Sequence, residues 1–217
     1  MPFTYTTEVD AEDAFDWDFI SNLFEDGILV STTTTFDDGK EQFDRFVGGL
    51  LETRIETDSP DNVEDWSRII TTYQEDGLVA SLQVFLDDGT STFDTFSDGV
   101  PVLSLQNYPD DGNFGALRRI QTHYNSDGEI DRKITGYHDD RPTVFDYYSS
   151  GERTTRVLED RLDSRAWEIR QTDFNSDGQI EGRFTTFDNG VTQTEVCLLY
   201  TSPSPRDQRG SRMPSSA

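Results

Sequence analysis

The segment Asp173-Phe174-Asn175-Ser176-Asp177-Gly178-Gln179-Ile180-Glu181 places oxygen donors at positions 1, 3, 5 and 9 of a loop with glycine at position 6. That is the front half of an EF-hand-like calcium loop, in which carboxylates and carbonyls wrap a hard cation. Its twelfth position, however, is Phe184, where the loop needs a bidentate glutamate. The chain repeats itself about every 50 residues, and the other copies put Asn22, Thr72 and His123 at position 1 and Thr33, Gln83 and Ile134 at position 12. Only the turn recurs. This segment, like Asn125-Ser126-Asp127-Gly128, therefore reads as a hairpin turn whose glycine takes positive φ.

A second group of carboxylates comes in pairs: Asp37 with Asp38, Asp87 with Asp88, and Asp139 with Asp140. If stacking of the copies brought these pairs together, a hard cation could relieve their repulsion. The six aspartates are thus the metal-ligand candidates and Ca2+ the one candidate cofactor. Turns on successive hairpin tips would instead lie too far apart to share an ion.

Other chemistry finds little support. His123 and His138 are the only histidines, and neither recurs in the other copies, where Thr72 and Asp37 hold the matching places. Each reads as an exposed strand or turn residue rather than a base. The chain has no nucleophile elbow, phosphate-cradling glycine loop or histidine pair at metal-ligand spacing. The single cysteine, Cys197, excludes a disulfide within the chain. The expectation is a protein that is not an enzyme.

The elements that must position these residues follow from the repeat. Trp17, Trp66, Leu117 and Trp167 open four copies, and an Asp-Gly pair follows each at Gly27, Gly77, Gly128 and Gly178. Nine residues later comes Phe36, Leu86, Tyr137 or Phe187, and then an acidic turn. A third segment carries Phe43 and Phe46, Phe93 and Phe96, or Phe145 and Tyr148. Turn signals every ten to twelve residues between Thr-, Val-, Ile- and Phe-rich segments predict short strands. The spacing of Trp66, Ile69 and Tyr73 also suits a helical stripe, but Ile70-Thr71-Thr72-Tyr73 runs straight into a hairpin turn and threonine is a poor helix former.

The reading is all-β: tandem repeats of about 50 residues, each a three- or four-stranded antiparallel meander, stacked as an extended array, with a propeller-like ring as the alternative. Residues 1–14 read as the end of a preceding repeat, and 15–64, 65–115 and 116–165 as repeats 1 to 3. Residues 166–196 form a fourth repeat expected to stop after its second strand. From Cys197 the pattern breaks, and residues 197–207 resemble a translated sequencing adaptor, which makes 197–217 a disordered artefactual tail.

Charge narrows the class. Asp and Glu number 43 against 18 Lys and Arg, a net charge of −25, and aromatics make up 12% of the chain. Such a field disfavours nucleic acid and anionic membrane and favours cations or basic protein and cell-surface partners. No run of residues is apolar enough to insert into a membrane as a helix.

Asp65-Trp66, Thr71-Thr72-Tyr73, Asp76-Gly77 and Asp87-Asp88-Gly89 together resemble the tandem repeat regions of large, acidic, calcium-associated RTX-type (haemolysin-like) bacterial proteins. That resemblance covers residues 10–196 and implies a secreted or cell-surface array serving as scaffold, spacer or adhesin. The Gly-Gly-x-Gly-x-Asp nonapeptide of the calcium roll is missing, so no residue here inherits a ligand role.

Overall fold

The computed structural model describes residues 2–12, 14–61 and 64–196. Among these described residues sixteen strands form one antiparallel sheet in strict chain order. A first strand, β1 (Phe3–Val9), pairs with the first copy, β2 (Trp17–Glu25), β3 (Ile28–Phe36), β4 (Glu41–Val47) and β5 (Leu50–Thr57). The second copy is β6 (Trp66–Tyr73), β7 (Val79–Leu86), β8 (Ser91–Ser97) and β9 (Val100–Asn107). The third is β10 (Leu117–Tyr124), β11 (Ile130–Tyr137), β12 (Thr143–Ser149) and β13 (Glu152–Glu159). The fourth supplies β14 (Trp167–Phe174), β15 (Ile180–Phe187) and β16 (Thr192–Val196). The fourth copy therefore has a third strand, contrary to expectation, because Gln193 and Glu195 continue the ladder opposite Thr185 and Arg183.

Local chemistry explains the strands. Ser31-Thr32-Thr33-Thr34-Thr35 in β3 is nearly all β-branched, which suits a pleated surface. Two-residue turns at Asp26-Gly27 (φ 51° and 79°) and Asp98-Gly99 (φ 51° and 78°) place both residues in the left-handed region. That is the turn whose twist matches an antiparallel hairpin. The opening segments that could have been helical are strands throughout, each paired on both sides.

Each strand touches only the strands before and after it. A propeller would divide the strands into separate blades arranged around an axis. Here one ladder runs unbroken from β1 to β16, so the propeller-like alternative is set aside. Among the described residues no second layer covers either face.

The pairing register sorts side chains into rows. One row runs Phe43, Ile55, Ile70, Gln83, Phe93, Leu105, Gln121, Ile134, Phe145, Val157, Gln171, Phe184 across β4 to β15. These apolar and glutamine side chains stay half-buried or exposed. On the opposite face the central row includes Asp44, Arg54, Thr71, Thr122, Asp146 and Arg156. The buried strand side chains lie on this second face: Asp44, Thr71, Thr122, Asp146 and Thr185, with Trp167 the only buried apolar one among the described residues. The sheet is therefore held by cross-strand pairs, each worth roughly 0.2–1 kcal/mol, rather than by a thick core.

The register also corrects the alignment of the first copy. Thr72, His123 and Asp173 face Ser81, Arg132 and Gly182, whereas the residue facing Ser31 is Leu23. Asn22 sits one place earlier, opposite Thr32, because the Asp26-Gly27 turn is shorter than its counterparts.

Candidate functional site

The meander puts all the paired-aspartate turns at one end of the strands. The β3–β4, β7–β8 and β11–β12 turns lie there, alternating with the longer β5–β6, β9–β10 and β13–β14 loops. Each tight turn packs on the longer loop beside it. The Asp37 N–H donates to the Asp16 carbonyl (3.3 Å), Asp87 N–H to Asp65 (3.2 Å) and His138 N–H to Ala116 (2.7 Å). A Cβ added at Gly39 or Gly89 would stand 3.1 Å or 3.3 Å from Pro60 or Pro109, so these turns need glycine for contact as well as for φ.

This geometry gives three of the six candidate aspartates, Asp38, Asp88 and Asp139, a turn role. Asp38 Oδ1 accepts from the Lys40 N–H (3.0 Å), Asp88 Oδ1 from Thr90 (2.8 Å) and Asp139 Oδ1 from Arg141 (3.1 Å). Asp38 also meets Lys40 Nζ at 3.3 Å, and Glu64 meets the same ammonium at 2.7 Å. The Lys40 backbone N–H, its largest stabiliser, lowers the Asp38 pKa, and the Glu64 carboxylate raises that of Lys40. Asp139 Oδ2 is 3.0 Å from Arg141 Nε. Asp37 and Asp87 occupy the preceding turn position, and in the third copy His138 stands there, leaving Asp140 one place out of step. Asp140 contributes its carbonyl to Ser164 (3.2 Å).

The three pairs do not converge. Successive tips are four strands apart, or about 19 Å at sheet spacing. Among the described residues no three His, Cys, Asp or Glu side chains are grouped to hold a metal ion. The EF-hand-like segment is likewise a closed turn. Asn175 Oδ1 accepts from the Asp177 and Gln179 N–H groups (3.0 and 2.8 Å), while Asp173 accepts from Thr155 and Gln171 (3.0 and 2.9 Å). Gly178 takes φ 73°.

The best-formed ionic contacts lie elsewhere, at residues the sequence pattern did not single out. Asp44 receives Arg54 in a two-pronged pair at 2.8 and 2.9 Å, and Gln42 Nε2 at 2.8 Å. Asp146 repeats this with Arg156 at 2.8 and 2.9 Å, with Arg153 alongside at 3.5 Å. Asp44 and Asp146 are 7% and 5% exposed, and their hydrogen bonds hold both arginines above their ordinary pKa. The second copy keeps the carboxylate, Asp94, but faces it with Ser104, and Asp94 has no side-chain partner among the described residues. The signal was present, since an aspartate follows phenylalanine at 44, 94 and 146. Asp160, 7% exposed, closes a long loop instead, its carboxylate accepting from the Arg165 N–H (2.6 Å) and the Ser164 hydroxyl (3.1 Å). Asp10 does the same for Phe15 (2.7 Å).

His123, expected to be exposed, is half-buried on β10. Its Nε2 lies 2.7 Å from Gln121 Nε2 and 3.1 Å from Arg132 Nη2, both donors, so the ring is neutral with its proton on Nδ1. Burial first, and then the Arg132 charge, lowers its pKa below 6.5. The unfolded chain takes up the proton before the folded one. Stability is thus fully present above the unfolded value and falls as pH drops through the folded one. His123→Thr, the residue of the second copy, is expected to flatten the change in urea midpoint between pH 7.5 and pH 5; an unchanged slope would contradict this.

No known family model matches this chain, and no curated protein is similar to it. Among the described residues no helix is long and apolar enough to cross a membrane.

Proposed function

We propose that the chain is a non-enzymatic acidic repeat module of a secreted or cell-surface bacterial protein, serving as a spacer or scaffold that holds other parts of an assembly apart. The observation that carries this is the unbroken ladder in which each strand touches only its neighbours. Fifteen steps of sheet spacing separate β1 from β16, about 70 Å. Length then grows with copy number, and each added copy needs only the one before it. Dense turn carboxylates, in a chain of net charge −25, keep such a two-sided sheet soluble. In this reading calcium is a diffuse counter-ion of the acidic end, and the cationic partners are those drawn by its field.

Because the chain enters at one edge and leaves at the other, tension through its ends peels strands in sequence. Pulling the chain by its termini in a force experiment should give successive lengthening steps, none exceeding one copy, or about 180 Å of extended chain. A single step releasing all the strands would remove the spacer reading.

A further inference from the structure

The third copy contains a local reversal of the array's charge. An open groove of ≈ 620 Å³ runs over the face that carries Ile134 and Phe145, and Arg118, Arg119, Arg141 and Arg161 line it. Where Arg118 stands, the other copies have Asp18, Ser67 and Glu168; where Arg161 stands, they have Ala11, Ser59 and Pro109. Asp139 is the one acid in the lining.

The guanidiniums are held in place with most of their donors unused. Arg119 Nε donates to Asn107 (2.9 Å), Arg161 Nε to Glu159 (2.7 Å), and Arg141 Nε meets Asp139 (3.0 Å). Arg141 lies over Tyr137, 5.3 Å from the ring centre, and Arg161 over Phe145 at 5.8 Å. Arg141 and Arg161 are thus each anchored through Nε and a ring. The terminal N–H groups of these three arginines, four per guanidinium, have no partner among the described residues. The Arg118 side chain has none at all among them.

The floor differs too. Gly136 faces Arg119, where Thr35, Phe85 and Thr186 stand in the other copies. A Cβ at Gly136 would meet nothing within 4 Å, so the missing side chain leaves bare surface beside Ile134.

We infer that this groove binds an acidic oligosaccharide, with a carboxylate or sulfate ester held by the guanidinium edges and a sugar ring over the Gly136, Ile134 and Phe145 floor. Its volume lies within the range of small-ligand sites, about 300–1,000 Å³. An open groove strips little water from a free anion, and its apolar floor offers such an ion nothing. A long polyanion would overlap the neighbouring acidic turns and be repelled, whereas a short one stays within about a Debye length, roughly 8 Å, of the arginines. The inference goes beyond the spacer reading and rests on it only in taking the sheet as a platform; the force experiment tests the platform and titration tests the groove, so either can fail alone.

The test is calorimetric titration of the full chain with trigalacturonate, sulfated maltotriose, neutral maltotriose and sodium sulfate. Both acidic trimers should bind at one site, at least about tenfold tighter than the neutral trimer or free sulfate, and more weakly as salt rises. Arg141→Gln and Gly136→Thr should each weaken the acidic trimers about tenfold, the second without changing charge, while Arg68→Gln on β6 leaves them unaffected. The inference is overturned if the acidic trimers bind no tighter than neutral maltotriose, if sulfate alone binds as tightly, or if both groove variants leave the affinity unchanged.

Discussion

Replacing Asp146 with alanine should lower stability by about 2 kcal/mol, whereas Asp94→Ala should change it by less than about 0.5 kcal/mol. The two aspartates occupy equivalent places in successive copies, and the difference lies in what faces them. Asp146 is 5% exposed and receives both prongs of Arg156, with Arg153 close by. Its removal takes away the one carboxylate that the Arg156 and Arg153 guanidiniums share. Breaking a buried pair costs about 3–5 kcal/mol, and the half-exposed Arg156 recovers part of its hydration, hence the smaller figure. Asp94 faces Ser104 and loses nothing of the kind. Urea unfolding of the two variants measures the difference. Equal losses would mean that the ion pairs do not hold this face together. Ser104→Arg should in turn stabilise the second copy by supplying the missing partner.

Ile134→Pro should cut the array in two without unfolding it all. Ile134 pairs with Gln121 on β10 and Phe145 on β12. Proline removes its N–H from the ladder, and its ring suits no central strand. With a local cost of at least about 3 kcal/mol, amide protection across β10 to β12 should fall by a factor of about a hundred or more. Protection in β2 to β7 should survive, because those strands touch only their own neighbours. Hydrogen exchange resolved by peptide reads both outcomes at once. Uniform loss along the chain would show a cooperative core that the sheet does not possess.

Much of the meander was legible because it is written in short-range chemistry. The Asp-Gly turns, the Trp or Leu that opens each copy and the β-branched runs each act within a few residues, and each produced the strand or turn expected. Register was less legible. The one-residue difference in the first turn moves Asn22 to the other face, and period-two geometry turns such a slip into a change of side. The Asp44–Arg54 and Asp146–Arg156 pairs depend on that register across a hairpin, so the recurring Phe-Asp did not by itself identify its partner. The arginine groove was hidden for a different reason. A net charge of −25 describes the average, while Arg118, Arg141 and Arg161 come from separate strands and loops that only the fold brings together. The paired aspartates illustrate the converse: conspicuous in the sequence, they are turn residues whose tips the sheet spacing keeps apart.

The central claim is the single open layer, and small-angle X-ray scattering of the full chain tests it most directly. A compact chain of this length has a radius of gyration of about 17 Å. One sheet about 70 Å long and a strand wide should instead exceed about 22 Å, with a pair-distance distribution skewed toward long separations and a cross-section one sheet thick. A symmetric distribution with a radius near about 17 Å would mean that the sheet closes or folds on itself, and would contradict the account.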